Sequence, residues 1–198
     1  KISFVGNCMI DSLKKFLPEA IKLNMPTKYG LVEHDYCLIT LHRPSNVDNI
    51  ESLKKLTEML NLISKRVKMV FPIHPRTRSI FDNSNLKLDE SIILLEPLPY
   101  IEFLSLMNKA RLVITDSGGI QEETTYLGVQ CITVRDNTER PITVDIGTNH
   151  LAGSEPSKVL QTLENILNGS IKNGKIPLKW DGRSSKRILK VIQKFISK

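Results

Sequence analysis

Short β-branched runs recur along this chain, each followed by a few polar or glycine residues and then by a stretch with helical spacing. That alternation constrains the fold more than any other feature. Strands that repeat in this grammar run parallel, because a helix supplies the long crossover that parallel neighbours need. The runs predict strands at residues 2–5, 36–40, 68–71, 92–95, 112–115 and 131–134. Between them Ile50, Leu53, Leu56, Leu60 and Ile63 share one helical face, with Asp48 as the expected N-cap. Residues 101–108 and 120–127 read as helices, as do 156–167, introduced by Ser154, and a basic segment over about 184–197. A chain of 198 residues can bury one sizeable core. Residues 169–180 therefore read as a linker inside one α/β domain, residues 1–198, built on a doubly wound parallel sheet.

The net charge of +7 raises the question of nucleic acid, and its distribution answers it. Nine of the 28 basic residues, but only one of the 21 acids, lie between Ile171 and Lys198, leaving nineteen basic against twenty acidic residues upstream. In that tail Ile188, Leu189, Ile192, Phe195 and Ile196 alternate with Lys186, Arg187, Lys190 and Lys194. The pattern is an amphipathic helix with a solvated basic face. No stacking aromatics accompany the charge, so neither nucleic acid nor membrane is expected as a partner. No window holds the roughly 18 unbroken apolar residues of a membrane span. Cys8, Cys37 and Cys131 are odd in number and lack paired spacing, which points to buried thiols in a reducing, cytoplasmic compartment. The chain opens at Lys1 directly into a strand-like segment, as the middle of a longer protein would.

In an open parallel sheet, ligands bind beyond the carboxyl ends of the strands. The segments at those positions are His42-Arg43-Pro44-Ser45-Asn46, His74-Pro75-Arg76-Thr77-Arg78, Glu96-Pro97-Leu98-Pro99-Tyr100, Asp116-Ser117-Gly118-Gly119, and Arg135 to Arg140. The Ser-Gly-Gly turn between strand and helix aims unpaired N–H groups and the positive helix end at one point, which suits a phosphate. As a plain connection it would need only Glu122 and Glu123 to complement the helix dipole. Arg43, Arg76, Arg135 and Arg140 carry planar forks that fit phosphate oxygens, although each alone could equally form a surface ion pair. There is no Walker sequence, no G-x-G-x-x-G, no metal-ligand spacing for His42 and His74, and no nucleophile elbow around Ser117.

At Val5-Gly6-Asn7 with Ile10-Asp11, His42-Arg43, His74-Pro75, Glu96-Pro97-Leu98 through Phe103, Asp116 through Glu123, and Thr138-Glu139-Arg140-Pro141, the sequence resembles the non-hydrolysing UDP-N-acetylglucosamine 2-epimerases. The likeness is to their carboxyl-terminal domain. It implies a Rossmann-like lobe, the second of two in a glycosyltransferase-B-like fold, with UDP-GlcNAc between the lobes and no cofactor or metal. It further implies that His42 touches the sugar nucleotide near the diphosphate and that Phe103 lies against the uracil. Ser117, Gly118 and Gly119 would hold phosphate oxygens, Glu123 the ribose hydroxyls, and Arg140 the diphosphate.

Departures from the family pattern accompany the match. Leu98 stands where some members have glutamine, and Ile142 replaces a frequent glutamate. Ser45 fills the place of an acid found in members with a second, activating substrate site, although Arg43 and His74 remain. The implied reaction interconverts UDP-GlcNAc and UDP-ManNAc by eliminating and re-adding UDP, with catalytic carboxylates on an amino-terminal lobe and a homodimer as the whole protein. A donor-binding lobe of a UDP-sugar glycosyltransferase and a non-catalytic UDP-sugar-binding module are the alternatives.

Overall fold

The computed structural model describes residues 2–47 and 49–197. Its strands are β1 (Tyr36–Thr40), β2 (Lys68–Pro72), β3 (Ile93–Leu95), β4 (Leu112–Thr115), β5 (Gln130–Thr133) and β6 (Asn149–Leu151). The helices are α1 (Cys8–Leu23), α2 (Met25–Lys28), α3 (Pro44–Val47), α4 (Ile50–Ile63), α5 (Pro75–Asp82), α6 (Tyr100–Asn108), α7 (Gly118–Leu127), α8 (Pro141–Asp145), α9 (Pro156–Leu167) and α10 (Ser184–Ile196). All strand pairings are parallel, in the order β3-β2-β1-β4-β5-β6. The order reverses between β1 and β4, and that reversal opens a crevice at the carboxyl edge of the sheet.

Period-two alternation makes the sheet two-faced. Cys37 and Ile39 join Leu53, Leu60 and Ile63 of α4 and Val159 and Leu163 of α9 in one apolar layer. Tyr36 and Leu38 join Leu13 and Ala20 of α1 and Leu104 and Met107 of α6 in the other. β1 is thus covered on both faces, with Tyr36 to Ile39 buried, which explains an unbroken apolar run in place of polar alternation. Cys37 and Cys131 sit fully inside; burial pushes both thiols up, Cys131 to about 12, so neither is a nucleophile at neutral pH. Cys8 is exposed.

Several expectations need correction. Residues 2–5 form no strand. The carbonyl of Phe4 accepts from Lys179 Nζ at 2.6 Å and that of Val5 from Arg187 at 3.3 Å, so side chains take the acceptors that a ladder would use. Gly6 follows at φ +105°, where an added Cβ would lie 2.4 Å from the Lys179 carbonyl oxygen. Asn7 then caps α1, and Asp11 accepts from the amides of Ser184 and Ser185 at 3.0 and 2.8 Å, capping α10 from a distance. Although burial opposes it, those amides hold the Asp11 carboxyl below its ordinary value. The motif around Val5 to Asp11 is therefore a joint between α1 and α10.

Asp48 lies outside the described residues; the cap of α4 is Asn49, whose side chain accepts from Glu51 N at 2.8 Å. Ser154 makes no cap on α9 either: Glu155 is the N-cap and Ser154 bonds Asp136. On α10 the basic face is solvated, yet Leu189, Ile192, Phe195 and Ile196 are exposed too. Among the described residues no helix is long and apolar enough to cross a membrane.

Candidate active site

The reversal point brings the end of β1 against the end of β4. Asp116, the first residue after β4, is completely buried, and its carboxylate accepts from the amides of His42 at 3.0 Å and Arg43 at 2.8 Å. It also accepts from Asn46 Nδ2 at 3.0 Å and faces His42 Nδ1 at 3.2 Å. Burial alone would raise the Asp116 pKa, but the bonds from His42, Arg43 and Asn46 outweigh it and hold the carboxyl low. Reciprocally, the bond to Asp116 raises the His42 pKa against the opposing pull of burial. Nδ1 is engaged, so Nε2 is the ring nitrogen that can meet a ligand.

Beyond Asp116 the backbone turns into α7. Ser117 occupies the N-cap position without making a side-chain cap bond, so the leading N–H groups of α7 are left for another acceptor. At Gly118 and Gly119 the missing side chains let neighbouring residues pack close to the turn. A Cβ on Gly118 would meet Arg140 Cγ at 3.7 Å, and one on Gly119 would meet Met9 Cε at 2.8 Å. The Ser-Gly-Gly turn, Arg140 and the start of α1 therefore share one small region. Arg140 Nε stands 2.8 Å from Glu122 Oε1, so Glu122 tethers the guanidinium rather than only complementing the helix dipole.

Glu123 is almost fully buried. Tyr100 OH donates to its Oε1 at 2.8 Å, but burial and the neighbouring Glu122 prevail and raise its pKa. Tyr100 ends the strand-end segment Glu96–Tyr100, and its place just after Pro99 carries no sign of the partner it finds in Glu123. Phe103 lies on the next turn of α6, half-buried against the α1 and α6 layer.

The other predicted residues divide. The His74 and His42 rings are 5.9 Å apart, so both histidines belong to the region. His74 Nδ1 also accepts from Arg76 N at 3.2 Å as the cap of α5, the structural use expected of a strand-end histidine. Arg43 is anchored through its amide, and its buried Nε lacks a hydrogen-bond partner. Arg135 forms a two-pronged pair with Glu139 at 3.0 and 2.8 Å, which makes it an ion-pair residue of the loop. A neighbouring cleft of about 390 Å³ shares Asn46 and Arg135 with these loops but is not lined by Ser117, Gly118 or Gly119.

A family profile described as UDP-N-acetylglucosamine 2-epimerase matches residues 1–193. The UDP-N-acetylglucosamine 2-epimerase of Methanococcus maripaludis is 41% identical across 97% of this chain and 54% of its own length. A UDP-2,3-diacetamido-2,3-dideoxy-D-glucuronate 2-epimerase of Pseudomonas aeruginosa is 35% identical across 98% of this chain and 53% of its own. Among solved structures, the Methanocaldococcus jannaschii UDP-GlcNAc 2-epimerase in complex with UDP-GlcNAc and UDP superposes with a TM-score of 0.88 at 41% identity. That match covers 98% of this chain and 55% of the other. The chain thus spans about half the length of the relatives it matches.

Proposed function

Because this chain belongs to the UDP-N-acetylglucosamine 2-epimerase family, we propose that it is the UDP-binding lobe, residues 1–198, of an enzyme that interconverts UDP-GlcNAc and UDP-ManNAc. The observation that carries this reading is the uncapped start of α7 beside Arg140, with His42 held next to it by Asp116. Two phosphates need several donors and positive charge at one point, and that is what these groups supply. In this reading Ser117, Gly118 and Gly119 hold phosphate oxygens and Arg140 spans the diphosphate. Glu123, oriented by Tyr100, takes the ribose hydroxyls, Phe103 lies against the uracil, and Arg43 and His74 line the sugar side.

C2 of the sugar adjoins no ring carbonyl, so its proton is poorly acidic and direct exchange there would be slow. Elimination of UDP across C1–C2, then protonation from the opposite face and re-addition, avoids that difficulty. The departing UDP gathers negative charge at the α7 N-terminus, where fixed N–H groups and Arg140 stabilise it without reorganising. His42 adds to this, since its bond to the Asp116 carboxylate raises its pKa and so favours the charged ring. The base and acid at C2 are carboxylates of the other lobe. The same reading makes the whole protein a cytoplasmic homodimer that supplies a ManNAc donor for polysaccharide synthesis.

The test uses the whole protein with UDP-GlcNAc in deuterated water and no acceptor. Proton NMR is expected to show UDP-ManNAc with deuterium at C2. Retention of the C2 hydrogen during turnover would rule out elimination, and no product without an acceptor would favour a transferase. Turnover only of a diacetamido uronate would redirect the substrate to that of the Pseudomonas aeruginosa relative.

A further inference from the structure

Beneath Arg140 lies a set of linked hydrogen bonds, buried at Asn149 and part-buried toward Arg140, that the site described above does not use. Asn149, the first residue of β6, is completely buried, and its amide has three engagements. Nδ2 donates to Gln121 Oε1 at 3.1 Å and to Thr143 Oγ1 at 3.0 Å, while Oδ1 accepts from Thr133 Oγ1 at 2.6 Å. Thr143 Oγ1 in turn donates to the Arg140 carbonyl at 2.7 Å. On the other arm Thr138 Oγ1 donates to Gln121 Oε1 at 2.6 Å and accepts from the Arg140 amide at 3.0 Å. Both polar groups of the Arg140 backbone are therefore tied, each through one threonine hydroxyl, to the same pair of buried amides on α7 and β6. The direction of every bond is consistent, with each hydroxyl donating once and accepting once.

Arg140 needs this hold. Its backbone, at φ −125° and ψ 55°, is neither helical nor extended, and it makes no side-chain cap on α8. Gln121 belongs to the same helix whose N-terminus supplies the phosphate-facing amides, so the network measures Arg140 against Gly118 and Gly119 through rigid elements. We propose that Asn149, Gln121, Thr138 and Thr143 are positioning residues that fix the Arg140 guanidinium over the diphosphate site. The proposal rests on the reading of Arg140 as a diphosphate ligand.

Calorimetric titration of the whole protein with UDP tests it. Thr143→Val keeps the shape but breaks one arm, and is expected to weaken UDP binding about tenfold by displacing the Arg140 guanidinium from its charge-assisted contact. Thr143→Ser should restore the affinity, because the hydroxyl returns. In an Arg140→Ala background Thr143→Val should cost nothing further, since the network acts through Arg140. Thr138→Val, on the half-exposed arm, gives the same comparison if Thr143→Val fails to fold. Wild-type affinity in a folded arm variant, or an equal loss with and without Arg140, overturns the positioning role. Unchanged affinity in Arg140→Ala alone would instead overturn the assignment of Arg140.

Discussion

Asp116→Ala is expected to destabilise the fold by about 3 kcal/mol, because about three donors lose their acceptor at once and each buried loss costs on the order of 1 kcal/mol. Those donors are the His42 amide, the Arg43 amide and Asn46 Nδ2. They lie on the opposite side of the β1–β4 boundary from Asp116, so the substitution also frees the His42 segment from the α7 turn, and UDP affinity should fall with stability. Chemical denaturation checks the first effect. Asp116→Asn separates charge from geometry, since it keeps one acceptor oxygen yet removes the partner that raises the His42 pKa. In that variant the His42 ring protons should titrate below the wild-type midpoint, because burial and the Arg43 charge, which both lower the pKa, are left with less to oppose them.

The pH dependence of the wild type follows from the same pair. The folded pKa of Asp116 lies below its ordinary 3.8, so its stabilisation is present above that value and is lost as pH falls through the folded pKa. His42 is shifted the other way. Its contribution is present below 6.5 and is lost as pH rises through the raised folded pKa. An unchanged denaturation midpoint in Asp116→Ala would mean that the β1 and β4 loops are held together by something else.

Arg140→Ala should weaken UDP binding by at least about tenfold, because removing one member of a charge pair that the ligand desolvates commonly costs about 2–5 kcal/mol. Uridine, which lacks the diphosphate, should bind both proteins alike, and that contrast assigns the loss to the phosphates. Arg140→Lys keeps a positive charge but not the planar fork and should fall between the two. Before a diphosphate arrives, Arg140 is paired with Glu122, so binding exchanges one anionic partner for another rather than exposing a free cation. Raising salt should therefore weaken UDP binding less in Arg140→Ala than in the wild type. Equal affinity in the two proteins, measured by calorimetry, would remove Arg140 from the site.

The sheet was legible where strands are buried on both faces. β1 and β4 carry continuous β-branched or apolar runs and fall where the pattern puts them. β6 was not legible: Asn-His-Leu is short and polar, and it joins the sheet because β5 offers a parallel edge in register. Residues 2–5 misled in the opposite sense, since apolar content predicts a strand but cannot show that two basic side chains take its carbonyls. α7 buries Gln121, Glu122, Glu123, Thr124 and Thr125, so no apolar stripe marks it over its full length. Its first turn was read instead from Ser-Gly-Gly.

Within the site the ligand-facing groups were legible from type and position: glycines after a strand, and arginines and a histidine on strand-end loops. The partners that orient them were not. Asp116 and His42 are 74 residues apart, Tyr100 and Glu123 are 23 apart, and Asn149 reaches Arg140 through Thr143 on one side and through Gln121 and Thr138 on the other. Each pair meets only after the strand order is known. Glu122 shows the same limit, since the sequence reads it as a dipole partner, and only the loop after β5 brings Arg140 to it.

The most direct measurement is a crystal structure of the whole protein with UDP. The diphosphate should lie within hydrogen-bond distance of the Gly118 and Gly119 amides, with the Arg140 guanidinium across it and His42 Nε2 facing the sugar side. Diphosphate density at any other edge of the sheet, or no UDP bound at saturating concentration, would contradict the assignment of this turn as the nucleotide site.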